Sequence, residues 1–124
     1  MKTIDLRSDT VTLPSQEIRN AISNAKLGDD VFQEDPNVNL LESEAALVAG
    51  KEAALLVPSG TMGNLISFLV HCQRGTEAIL GNKSHTFIYE AGGISAFGGI
   101  HSHQLHNSDD GLINLDHIKQ AIRV

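Results

Sequence analysis

The chain has 124 residues, 41% of them hydrophobic and 19% charged, with 11 glycines, the profile of an ordinary globular domain and not of a disordered or charge-driven coil. Nine Lys and Arg against 15 Asp and Glu give a net charge of −6, so neither nucleic acid nor an anionic membrane surface is an expected partner. The apolar runs are too short to span a bilayer, no secretory leader pattern opens the chain, and a lone Cys72 excludes an internal disulfide framework and fits a reducing cytoplasm.

The opening, Thr3 to Thr10, is an extended polar and apolar mixture. Ile18, Ala21, Ile22 and Ala25 recur at helical spacing after Pro14, which predicts a first helix with Pro14 in its first turn and Gly28 as its stop. An acidic loop runs from Gly28 to Asp35. Asp35-Pro36 supplies an N-cap and an N1 proline for a second helix, with Val38, Leu41, Ala45 and Val48 on its apolar face and Gly50 closing it.

Ala53–Val57 reads as a short strand buried on both faces. A turn at Pro58-Ser59-Gly60 leads into a third helix with Met62, Leu65, Ile66, Leu69 and Val70 on one side and Gly75 at its end. Glu77–Leu80 is the next expected strand, making Ala53 to Leu80 a βαβ unit with a parallel pair. Paired glycines between Glu90 and Gly99 allow only short helix there. Gly99–His106 suits another strand, and Asn114 caps a final helix carrying Leu115, Ile118 and Ile122.

Ser59-Gly60-Thr61 stands where a strand gives way to a helix. Free amides and the helix dipole favour an anion at such a point, and Gly60 lets it approach the backbone. A plain N-cap and tight turn explain the same residues, and no Gly-Lys-Ser/Thr follows to make a Walker loop. His85 comes a few residues after the next strand, at the same carboxyl end of the sheet where ligands gather in α/β folds; a surface or core histidine is the plainer alternative. His101, His103 and His106 lack a carboxylate or cysteine at metal-like spacing and read as a solvated strand edge. Asp29, Asp30, Glu34 and Asp35 do not match an EF-hand and read as a solvated loop. His71 and Cys72 read as packing residues.

Several strings together resemble the L-threonine aldolases, within the β-eliminating lyases. They are Ile4-Asp5-Leu6-Arg7-Ser8-Asp9-Thr10-Val11-Thr12, Gly28-Asp29-Asp30-Val31 with Glu34-Asp35-Pro36, Lys51 to Leu55 and Val57 to Asn64, His71 to Gly75, Ser84-His85, and Tyr89-Glu90-Ala91-Gly92-Gly93. They cover nearly the whole chain in order.

The resemblance implies an α/β fold. The chain would be part of the large cofactor domain of an aspartate-aminotransferase-like, fold-type-I pyridoxal-phosphate enzyme, with a mixed, mostly parallel sheet flanked by helices. Residues 1–35 would form an arm, helix and acidic loop, and 36–124 the first half of the large domain. It implies that Ser59, Gly60 and Thr61 hold the phosphate of pyridoxal 5'-phosphate. His85 would stack on its ring and serve as the base, and Ser8 would fix the substrate carboxylate. Tyr89 and the loop at Phe32, where relatives often carry Tyr, would line the pocket, the loop reaching across a dimer interface.

The implied activity is cleavage of L-threonine or L-allo-threonine to glycine and acetaldehyde, in a cytoplasmic homo-oligomer, dimer or tetramer, acting on a small amino acid. The cofactor serves as the electron sink, and histidine suits the proton step near neutral pH. None of Lys2, Lys26, Lys51, Lys83 and Lys119 matches the family's Schiff-base lysine, so the chain is expected to be an N-terminal portion without it. A non-catalytic module binding a phosphate ligand or a partner, and a fold-type-I lyase for another amino acid, stay open as alternatives.

Overall fold

A computed structural model describes residues 4–123. The chain divides into two compact units, Met1–Leu56 and Val57–Val124, where the sequence suggests a division after residue 35.

In the first unit, helix α1 spans Gln16–Ser23 and α2 spans Pro36–Ala49. The N-cap of α1 is Ser15, whose hydroxyl accepts from the Ile18 amide, so Pro14 lies outside the helix. The helix ends on Asn24, well before Gly28. The role of Gly28 is different: a Cβ there would collide with the backbone of Glu34 and Asp35. Helix α2 follows the sequence closely. Asp35 caps it through the Asn37 and Val38 amides at 2.9 and 3.1 Å, and Gly50 ends it at φ 61°, a left-handed conformation suited to glycine. Its inward stripe is Val38, as expected, then Glu42 and Ala46, each one position along from the expected Leu41 and Ala45; Leu41 and Val48 are exposed.

Ala53–Val57 forms no strand. A strand needs a ladder partner, and none pairs with it among the described residues. The Leu56 amide instead donates to Glu42 Oε1 of α2 at 2.7 Å, and Leu55 and Leu56 remain exposed.

In the second unit, α3 is Gly60–His71, β1 is Glu77–Gly81, α4 is His85–Ile88, α5 is Gly93–Ala96, β2 is His101–Leu105 and α6 is Leu115–Ala121. Strands β1 and β2 pair in parallel, with Ile79 opposite His103. The parallel pair therefore joins the two later strands through α4 and α5, and does not begin at Ala53. Helix α3 stops at His71 with Cys72 as its C-cap, before Gly75.

Ala78, Leu80, Ile94 and Ile100 form the core, and Leu65, Phe68 and Cys72 pack on it. The inward stripe of α3 is thus Leu65, Phe68 and Cys72, and Leu69 and Val70 face solvent. On α6 it is Ala121 that is buried, and Leu115 and Ile122 are exposed. Among the described residues no helix is long and apolar enough to cross a membrane.

Candidate active site

The site is assembled at the carboxyl end of β1. The Asn82 amide donates to the Leu105 carbonyl at 2.8 Å, which extends the ladder by one rung. Asn82 and Asn107 then hold one another's strand ends. The Asn107 amide donates to Asn82 Oδ1 at 3.0 Å, and the Lys83 amide donates to Asn107 Oδ1 at 2.9 Å. Asn107 is buried, and its own NH2 donates to the Gly111 carbonyl at 2.9 Å. A buried amide with every polar atom engaged is a rigid support. It fixes the turn that delivers Ser84 and His85 to the start of α4.

Helix α3 supplies the other wall. Ser59 caps it, its hydroxyl accepting from the Met62 amide at 3.1 Å. The amides of Gly60 and Thr61 have no partner among the described residues, and a Cβ at Gly60 would meet nothing within 4 Å. The beginning of a 12-residue helix thus offers two outward N–H groups, two hydroxyls and an open approach. With the dipole at that end, the donor set suits an anion such as a phosphate group.

The two walls meet through a carboxylate. Glu90 is buried, its side chain only 3% exposed. Its Oε1 accepts from the NH2 of Asn64 at 2.6 Å and lies 2.8 Å from His85 Nδ1. Asn64 stands one turn along α3 from Gly60, so His85 is tied to the helix that begins at Gly60. The His85 ring is 63% exposed and lies 5.3 Å, centroid to centroid, from that of Tyr89 at a 45° tilt. The structure therefore gathers Ser59, Gly60, Thr61, His85 and Tyr89 within one unit.

Ser8 and Phe32 belong to the other unit. There Ser8 caps a short 3₁₀ turn at Asp9–Val11, accepting from the Thr10 amide at 3.2 Å and from the Thr10 hydroxyl at 2.9 Å. Phe32 ends a second such turn, Asp30–Phe32, and is exposed. In the acidic loop, the amides of Val38 and Gly28 hold the Asp35 carboxyl below the usual carboxylate range.

At the opposite end of the strands, His103 Nδ1 lies 3.4 Å from Glu77 Oε2, which Arg123 also reaches at 3.2 Å. Among the described residues no three His, Cys, Asp or Glu side chains come together as metal ligands. Two supports went unread in the sequence. Glu90 follows His85 by five positions, across one turn of α4, and that spacing beside a candidate base is a usable signal. Asn107, 25 positions from Asn82, has none.

The family model of the β-eliminating lyases matches residues 5–124. The chain belongs to this family. It is 54% identical to low-specificity L-threonine aldolase 1 of Arabidopsis thaliana over 124 residues, which cover 99% of the chain and 35% of that relative. With the low specificity L-threonine aldolase of Escherichia coli (strain K12) the identity is 45% over 120 residues, 97% of the chain and 36% of the relative. With that of Saccharomyces cerevisiae it is 40% over 92 residues, 73% of the chain and 24% of the relative. The chain thus spans about a third of the length of its plant and bacterial relatives.

Proposed function

We propose that the chain contributes the phosphate-binding and ring-stacking half of a pyridoxal-phosphate site in an enzyme that cleaves L-threonine or L-allo-threonine to glycine and acetaldehyde. The observation that carries it is the bond pair on Glu90, which joins His85 to the helix whose free N-terminus begins at Gly60. The relatives are named as low-specificity L-threonine aldolases, which supports the choice of substrate. The fold in this reading is that of the large domain of the fold-type-I enzymes.

The donor set at α3 fits the cofactor's phosphate. The Gly60 and Thr61 amides and the Thr61 and Ser59 hydroxyls would hold it, the Ser59 oxygen meanwhile capping the helix. When bound, the cofactor supplies an electron sink for the bond that breaks. The His85 imidazole would lie against its ring and take the proton of the substrate's β-hydroxyl on a ring nitrogen. Tyr89, beside that ring, would bound the pocket, and Ser8 and the Phe32 loop would meet the substrate carboxylate and the pocket rim. No lysine of the chain is assigned the covalent anchor. A cytoplasmic homo-oligomer, dimer or tetramer, belongs to the same proposal; exposed Leu47 and Val48 on α2 suit a protein with further surface to cover.

Amide NMR of the chain titrated with pyridoxal 5'-phosphate tests the proposal. The Gly60 and Thr61 signals are expected to move with it, and not with pyridoxal, which lacks the phosphate. Unmoved signals overturn the assignment. Acetaldehyde release from L-threonine is expected to be absent with this chain alone and present once the remainder of a relative's chain is supplied.

A further inference from the structure

We propose that Glu90 is a positioning residue that fixes the His85 ring in one tautomer, with the proton on Nδ1 and a free lone pair on Nε2. The proposal rests on the reading of His85 as the base of the site and adds the device that makes it one.

The geometry is restrictive. One oxygen, Glu90 Oε1, receives both the Asn64 NH2 at 2.6 Å and His85 Nδ1 at 2.8 Å. An ionised carboxylate has no proton to give, so both partners must donate. Asn64 does so through its NH2, and the ring does so only as Nδ1–H. The carboxylate is itself held: its side chain is 3% exposed, and the Asn64 bond comes from a rigid helix of 12 residues. The ring is 63% exposed, and among the described residues no hydrogen bond reaches Nε2. One nitrogen held by a fixed acceptor and the other left unbonded is the arrangement in which a second partner orients an imidazole and sets which nitrogen is basic.

Two further features agree. Glu90 begins the link to α5, since the Gly93 amide donates to its carbonyl at 2.9 Å, so its backbone is fixed as well as its side chain. The Ser84 hydroxyl, buried at the start of α4, makes no hydrogen bond among the described residues and so does not compete for Nδ1. The same oxygen couples the ring to α3, so a displacement of Asn64 is passed to His85.

Long-range 1H–15N NMR of the histidine rings, on the chain without ligand at neutral pH, reads the tautomer directly. The expected spectrum shows His85 Nδ1 at the protonated, pyrrole-type position and Nε2 at the unprotonated, pyridine-type position. In Glu90→Ala the pattern is expected to revert toward the Nε2–H form. In Glu90→Gln, whose carbonyl still accepts, the Nδ1–H form is expected to persist. A proton on Nε2 in the unsubstituted chain, a ring protonated at both nitrogens, or a tautomer unchanged in Glu90→Ala overturns the proposal. The measurement on the unsubstituted chain needs no variant to fold. It is also independent of the cofactor titration: loss of the Gly60 and Thr61 shifts tests the ligand, and the ring nitrogens test Glu90.

Discussion

Up to Leu56 the chain is held by short polar side chains reaching nearby backbone, whereas beyond Val57 it is held by a small apolar core under a parallel pair of strands. In the first unit Ser8, Ser15, Asp29 and Asp35 each take amides a few residues away, and Ala46 is the buried hydrophobic residue among those described. In the second, Ala78, Leu80, Ile94 and Ile100 come together from well-separated positions. Local capping sets the direction of helices but excludes little water, so it stabilises each turn separately. A shared core makes its elements depend on one another. The candidate base sits on the cooperative unit, where a fixed ring is needed, and Ser8 and the Phe32 loop sit on the other.

The contrast can be broken most directly at Ile100, which is 1% exposed. Ile100→Ala is expected to cost about 2–5 kcal/mol in urea unfolding and to lower hydrogen-exchange protection across β1, β2 and α5 together; protection lost only next to residue 100 would show that the core is not shared. Asn107→Ala should follow, at about 1–3 kcal/mol, because the Lys83 amide loses its acceptor. Its specific sign is a change in the His85 ring signals ahead of global unfolding. Ser59→Ala is expected to cost about 1 kcal/mol, with exchange rising in the first turn of α3 and little change in β1.

The smallest effect is in the acidic loop. The folded Asp35 carboxyl lies below its ordinary value of 3.8, mainly through the Val38 and Gly28 amides. The unfolded chain therefore takes up the proton more readily. The stabilisation is present above that value and is lost as pH falls through the depressed one. Exchange protection of the Val38 amide should follow this course, and in Asp35→Asn it should be flat with pH. A second-unit amide that tracked the same titration would end the contrast.

What could be read beforehand follows the same divide. The second helix was legible because Asp35-Pro36 and Gly50 act within a turn of their own positions, and Ser59 announced α3 in the same way. The strand at Glu77 and the one near His101 were legible as runs. The expected strand at Ala53–Val57 was not found, because composition describes a buried strand without saying what it pairs with. Stripe positions on α2, α3 and α6 agree only in part, at Val38, Leu65, Ile66 and Ile118, for a similar reason. Periodicity lists the apolar residues, but the partner surface chooses among Leu65, Phe68 and Leu69. At the site, Gly60 and His85 stood out by residue type. Glu90 and Asn107 did not, since the value of a buried acceptor lies in what reaches it from elsewhere.

The mutual hold of Asn82 and Asn107 ties evolution at one strand end to the other. A methyl group at Gly81 would run into the Asn107 amide, so Gly81 can enlarge only if the Asn107 side chain shifts or is shortened, and either change loosens the clasp on Lys83. The pair should drift through sequence space as a unit or stand still. An engineer wishing to re-aim the imidazole without touching the pocket has a remote handle there.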